Sequence, residues 1–227
     1  MAARFGFRAR ALAVLVSLAA FALPVHAEEG ATLAALRLAH QREVDSQHHY
    51  LAYAMQAHRE GQPEAAALWR AIARGEAVHA ANHLRELERL GVTVTPAVTS
   101  VVVRTTAENL AASIAGERAE RTAIYPAFAE FALCECLYEP LASFGYARGA
   151  EATHEALFRA ALTRFERTRP EWQLLASAGT VVEPALGTAA SAPGVWICPG
   201  CGGAFAAPPA HSCKLCGTAG STFEFVR

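Results

Sequence analysis

Two acid–base pairs, Glu76-x-x-His79 and Glu151-x-x-His154, sit inside segments that otherwise read as buried helix. A spacing of three puts each carboxylate and its imidazole on one helical face. Glu117-x-x-Glu120 adds two acids on a further segment, and Glu43 stands alone on the first. The residues around them are rich in Ala and Leu. An acid on a buried face is costly unless it is neutralised or binds a cation. Five acids and two histidines brought together from four segments point to a dinuclear metal site inside a helix bundle.

The apolar periodicity fits four rods. The first is expected from about Thr32 to Arg59, with Leu33, Leu36, His40, Glu43, Gln47, Tyr50 and Ala54 in one stripe. Gly61 stops it, and Pro63 suits the first turn of the second, which runs to about Leu90 before Gly91. The inner stripe of that rod holds Trp69, Ile72, Ala73, Glu76, His79 or Ala80, His83 and Leu87. Thr105-Thr106-Ala107-Glu108 fits a capping box and opens the third rod. Its stripe runs Leu110, Ile114, Glu117, Glu120 or Arg121, Ile124, Phe128 and Phe131, with a kink expected at Pro126. A turn near Cys136 to Glu139 leads to the fourth rod, with Phe144, Ala147, Glu151, His154, Phe158 and Phe165, ending near Arg169-Pro170.

Glu43 and Glu76 are 33 residues apart, and Glu117 and Glu151 are 34 apart. A turn lies near the middle of each interval. A chain that goes out along one helix and back along the next returns its second acid to the height of the first. Two hairpins of matching length, packed together, place the acids in one layer. Val92 to Arg104 has no helical period; extended, it reaches roughly 40 Å at about 3.3 Å per residue, enough to cross the length of a bundle.

The 227 residues suffice for one medium domain and one small one, and 53% hydrophobic content allows a sizeable core. A formal charge of −1 argues against a nucleic-acid surface. Residues 1–27 read as a secretory signal: Arg4, Arg8 and Arg10, then an apolar run from Ala11 to Leu23, then Val25-His26-Ala27 as a small-residue cleavage site. Without a twin-Arg pair, general secretion to the periplasm or exterior is expected, an uncleaved anchor being the alternative. The rest of the chain has no apolar stretch of membrane length, so no membrane contact is expected after cleavage.

From about Glu171 to Gly194 the composition shifts to Ala, Ser, Gly, Pro and Thr, which reads as a linker. Residues 195–227 then carry Cys198-x-x-Cys201 and Cys213-x-x-Cys216, a strong signal for a tetrathiolate metal site. Gly202 and Gly217 follow the second Cys of each pair and permit positive φ. So small a module needs its metal to fold. In the bundle, carboxylates and imidazoles suit iron or manganese better than copper or calcium.

Glu43, Glu76-x-x-His79, Glu117-x-x-Glu120 and Glu151-x-x-His154, followed by two C-x2-C knuckles, closely resemble rubrerythrin, as do Thr106-Ala107-Glu108-Asn109-Leu110 and Tyr125-Pro126-Ala127-Phe128-Ala129. The resemblance covers about Thr32 to Arg169 and Val195 to Phe225. It implies an all-α protein: a ferritin-like four-helix bundle over 28–170, a linker over 171–194 and a rubredoxin-like domain over 195–227. Glu120 is the acid that ordinary ferritins lack. By resemblance, Glu76 and Glu151 bridge two irons, and Glu43, Glu117 and His154 are terminal ligands. Glu120 and His79 exchange on one iron, and Tyr50 hydrogen-bonds a ligand carboxylate. Cys198, Cys201, Cys213 and Cys216 hold one iron. The implied activity is reduction of hydrogen peroxide to water, with electrons relayed from an unidentified donor through the cysteine-bound iron, in a homodimer.

Lys214 stands where rubredoxins carry Pro, and Gly203 where they carry a core aromatic, so zinc is the alternative metal there; Trp196, Phe223 and Phe225 can supply aromatic core. A ferroxidase or oxidase at the same residues is a second reading. A third is an iron-binding or storage protein with a structural zinc module. Of Cys134 and Cys136, one is expected buried and one a loop thiol, with an intersubunit disulfide as the sharper alternative. His40, His48, His49, His58 and His211 read as surface or capping residues, and His83 as a weak candidate for contact with a ligand.

Overall fold

The computed structural model describes residues 29–97, 99–167 and 194–227. The expected signal segment and the expected linker, Gly194 aside, lie outside the described residues, as does the expected end of the fourth rod at Arg169-Pro170. Helix α1 (Ala31–Arg59) and helix α2 (Pro63–Arg89) form the first hairpin. Helix α3 (Thr106–Ala119), a π turn (Glu120–Ile124) and helix α4 (Tyr125–Cys134) make one continuous rod, and helix α5 (Tyr138–Arg167) returns beside it. Among the described residues, no helix is long and apolar enough to cross a membrane.

The ends of the helices follow local chemistry. Thr105 and Glu108 form the expected reciprocal capping box. Gly30 has no side chain to cap α1, and Glu135 does so from the far hairpin, accepting from the Ala31 N–H at 2.8 Å and the Thr32 N–H at 3.3 Å. Gly61 and Gly91 take φ of 71° and 75°. The next N–H reaches back to a carbonyl, Gln62 to Ala57 at 2.8 Å and Val92 to Leu87 at 2.9 Å. Helix α4 ends the same way, with Leu137 N–H on Ala132 O at 2.8 Å, but there the left-handed residue is Cys136, φ 56°.

The kink expected at Pro126 is instead a π turn just ahead of it. Pro126 has no N–H to give the preceding turn. The ladder widens there, and Tyr125 N–H bonds Glu120 O, five residues back.

Two apolar layers fill the bundle. One holds Leu36, Ala39, Leu87, Phe128, Phe144 and Ala147; the other holds Tyr53, Trp69, Ile72, Leu110, Ile114 and Phe158. Val92 and Val94 of the connection touch the first layer and Val101 touches the second, so this segment does cross the bundle lengthwise. Gln41 steadies it, donating to Ala97 O at 2.6 Å and accepting from its N–H at 2.9 Å. Phe131, expected inside, is 41% exposed, because the extra residue of the π turn rotates the stripe beyond it.

The C-terminal module is a small antiparallel sheet of order β2-β1-β3, with β1 Val195–Ile197, β2 Ala204–Phe205 and β3 Glu224–Val226. The space left by Gly203 is filled from either side by Phe205 and Leu215. Phe223 is buried as expected and pairs with Phe205, ring centroids 5.6 Å apart. The module seats directly on α2 and α5. Gly75 and Gly202 meet backbone to backbone: a Cβ on either would lie 2.6 Å from the carbonyl oxygen of the other. Asn82 donates to Gly200 O at 3.0 Å, and Thr153 Oγ1 accepts from Ala204 N–H at 2.9 Å.

Two substitutions test these points. Replacing a mid-helix Gly by Ala ordinarily stabilises by up to about 1 kcal/mol. Gly75→Ala should instead undock the module, read as lost hydrogen-exchange protection at residues 201–204 with helix content unchanged; retained protection contradicts the seating. Cys136→Gly should raise stability by about 1 kcal/mol in denaturant unfolding by relieving the left-handed residue; unchanged stability contradicts the strain.

Candidate metal centre

Between the two apolar layers, all four rods turn acids inward at one height. Glu43 comes from α1, Glu76 and His79 from α2, Glu117 from α3, and Glu151 and His154 from α5; all are buried. Two sets of four among them have candidate ligand atoms that all lie within 4.8 Å of one another. One is Glu43, Glu76, His79 and Glu151; the other is Glu76, Glu117, Glu151 and His154. Glu76 and Glu151 belong to both.

Each shared acid gives one oxygen to each side. His79 Nδ1 lies 2.9 Å from Glu76 Oε2 and 3.1 Å from Glu151 Oε1. His154 Nδ1 lies 3.2 Å from Glu76 Oε1 and 2.9 Å from Glu151 Oε2. Glu43 Oε2 stands 3.4 Å from the first ring nitrogen and Glu117 Oε2 stands 3.7 Å from the second.

The outer nitrogen of each ring meets the cysteine module. His79 Nε2 is 2.8 Å from Cys201 O, and His154 Nε2 is 3.1 Å from Gly202 O. A carbonyl only accepts, so both rings carry a proton on Nε2, and each ring when neutral presents its Nδ1 lone pair inward. Metal-bound histidines are commonly oriented in this way.

Glu117 and Glu43 are each braced by a tyrosine from the opposite hairpin. Tyr50 donates to Glu117 Oε1 at 2.5 Å, and Tyr125 donates to Glu43 Oε1. Tyr125 was not singled out as a site residue, although the signal was present. Tyr50 follows Glu43 by seven residues and Tyr125 follows Glu117 by eight, the extra residue being that of the π turn. His83 continues this brace. Its Nε2–H reaches Tyr125 Oη at 3.0 Å, and its Nδ1 accepts from Ser143 Oγ at 2.9 Å. Burial pulls His83 down to about 3, so it is neutral.

Other expectations are corrected. His40 is buried, with Nδ1 donating to Ala80 O at 3.0 Å, because its stripe faces α2. Cys134 and Cys136 are both exposed, at the turn between α4 and α5. Glu120 is buried as its stripe requires but lies outside both donor groups, its Oε1 accepting from Arg42 Nη2 at 2.7 Å.

The donors fit cations. Glu43 Oε2, Glu117 Oε2, both oxygens of Glu76 and of Glu151, and both inward Nδ1 atoms have no hydrogen-bond partner, though all are buried. Such groups are costly unless a positive charge joins them. With protons as the only positive charge, burial and then the Glu151 carboxylate push Glu117 up to about 8. Burial opposes charge on His154, but Glu76 and its neighbours outweigh it and hold the ring well above its ordinary range. Carboxylates and imidazoles in this ratio match an iron or manganese pair.

In the module, the positive φ of Gly202 and Gly217, 76° and 80°, folds both knuckles as expected. The four sulfurs form a separate candidate metal group. Cys198 and Cys216 Sγ are 3.6 Å apart, and Cys201 and Cys213 Sγ are 3.7 Å apart. The edge of a tetrahedron with metal–sulfur bonds of about 2.3 Å is roughly 3.8 Å.

Residues 34–162 match the family model described as Rubrerythrin. The chain is 34% identical over 145 residues to a rubrerythrin from Porphyromonas gingivalis (strain ATCC BAA-308 / W83), covering 61% of this chain and 72% of the relative. Its fold matches solved structures of nigerythrin. The mixed-valence form aligns with a TM-score of 0.71 at 22% identity, over 96% of this chain and 100% of that one. Symerythrin from Cyanophora paradoxa, reduced with dithionite, aligns with a TM-score of 0.50 at 22% identity, over 61% of this chain and 84% of that one. The two shared acids, the paired histidines and the cysteine knuckles thus stand in a ferritin-like bundle with a rubredoxin-like domain, and the chain belongs to the rubrerythrin family.

Proposed function

We propose that this protein is a di-iron peroxidase that reduces hydrogen peroxide to water, with electrons entering through the cysteine-bound metal. Members of the family are generally di-iron oxidoreductases, which supports the reaction class. The observation that carries the reading is the seating of the cysteine module on the donor layer through the His79 and His154 contacts to Cys201 O and Gly202 O. When bound, a ferrous pair supplies the two electrons that, with two protons, convert one peroxide into two waters, and the cysteine-held iron restores them singly.

The protein's own groups set the stage. Glu76 and Glu151 are proposed as bridging ligands, since each offers one oxygen to either side. Glu43, Glu117 and His154 are proposed as terminal ligands, with His79 and Glu120 as alternates at one position. Tyr50 and Tyr125 hold the terminal carboxylates by their second oxygens, leaving the first free. Two apolar layers exclude water above and below. Iron at the four cysteines completes the electron route, and a homodimer accompanies it by family likeness. The basic and then apolar segment at residues 1–27 supports export to the periplasm or beyond, where the donor would be met.

Glu76→Ala should abolish binding of two metals by the bundle, measured by elemental analysis, while the cysteine site keeps the thiolate-to-iron absorption bands. Two bundle metals retained per chain contradict the ligand set, and a cysteine site colourless with its native metal favours zinc. The reduced protein should be oxidised rapidly by hydrogen peroxide and at least tenfold more slowly by dioxygen in stopped-flow mixing. The reverse order favours the ferroxidase reading.

A further inference from the structure

Glu120 is the one expected donor that the fold brings near the layer yet leaves out of it. What holds it is Arg42, the residue immediately before Glu43 on α1, whose Nη2 sits 2.7 Å from Glu120 Oε1. The Arg42 side chain is 36% exposed, and its Nε is buried with no hydrogen-bond partner, so the ion pair rests on Nη2 alone. The pair borders a cavity of about 240 Å³ between α1 and α3, lined also by His49, Tyr50, Tyr53 and Gly116. Gly116 has nothing within 4 Å of where a Cβ would stand, so there is room for the two side chains to part. The π turn begins at Glu120 itself.

Charge counting gives the contact a purpose. The four carboxylates of the two donor groups neutralise two divalent cations. A fifth carboxylate on such a pair would leave a net negative charge in a dry interior, which is unfavourable. Arg42 supplies that fifth acid with a counter-charge outside the donor set. Two trivalent cations would leave two positive charges uncompensated, and Glu120 would then gain more by joining them than by facing a guanidinium that holds it through one nitrogen.

We propose that Arg42 is a positioning residue that holds Glu120 off the metal pair while the pair is divalent, and so favours the reduced state. This rests on the di-iron reading above. The two electrons lost on oxidation go to hydrogen peroxide, which takes up two protons and leaves as two waters.

The test is a potentiometric titration of the full-length, iron-loaded protein, comparing wild type with Arg42→Gln, Glu120→Gln and the double variant. Arg42→Lys serves as the charge-conserving control. Arg42→Gln should shift the bundle couple toward the oxidised state by tenfold or more, about 30 mV for a two-electron couple. Arg42→Lys should restore most of that shift. In the Glu120→Gln background, Arg42→Gln should have little further effect, the signature of coupling through one partner. An equal shift with and without the Glu120 charge would mean that Arg42 acts only through space and would overturn the proposal, as would no shift at all. A wild-type chain with no bundle couple would overturn the di-iron reading along with it; a normal couple indifferent to Arg42 would overturn the proposal alone.

Discussion

Negative charge enclosed between two apolar layers is the constraint on which the remaining features of this molecule depend. Glu43, Glu76, Glu117 and Glu151 are buried, and much of their oxygen surface faces only other acids and two imidazoles. Left to themselves, such groups would take up protons or break the bundle apart. A pair of cations would resolve the conflict and turn a liability into a folding contribution. The layers above and below the acids keep water from doing the same task less specifically.

The arrangement has an approximate internal two-fold character. Each hairpin supplies a lone acid, a Glu-x-x-His and a tyrosine, and each tyrosine braces the lone acid of the other hairpin. The symmetry is broken in two places. A π turn adds one residue between Glu117 and Tyr125, and it begins at the additional acid Glu120. His83 and Ser143 extend the brace behind Glu43, all donors pointing toward that carboxylate. The two donor groups thereby differ in their surroundings.

Much of this was legible in the residues. Equal spacing of the acids about two turns gave the layer, and Glu-x-x-His on Ala-rich helices gave the donors. The paired knuckles with a following glycine gave the thiolate site. What escaped was whatever depends on contacts between distant segments. His40 looked like a surface histidine, but its neighbours on α2 are small enough to admit it. Tyr125 was hidden by the π turn, which shifts its spacing from seven residues to eight. Arg42 beside Glu43 carries no signal of its own, and only the packing of α1 against the third rod reveals Glu120 as its partner. The near-contact of Gly75 and Gly202 carries no local signal: Gly202 already had a reading in its knuckle, and nothing in its own helix singles out Gly75.

The most direct test of the central claim is anomalous diffraction at the iron edge from crystals of iron-loaded protein. The account requires two peaks in the bundle, roughly 3.5–4 Å apart, flanked by His79 and His154 and spanned by Glu76 and Glu151. A single peak, or none between the two apolar layers, would contradict it.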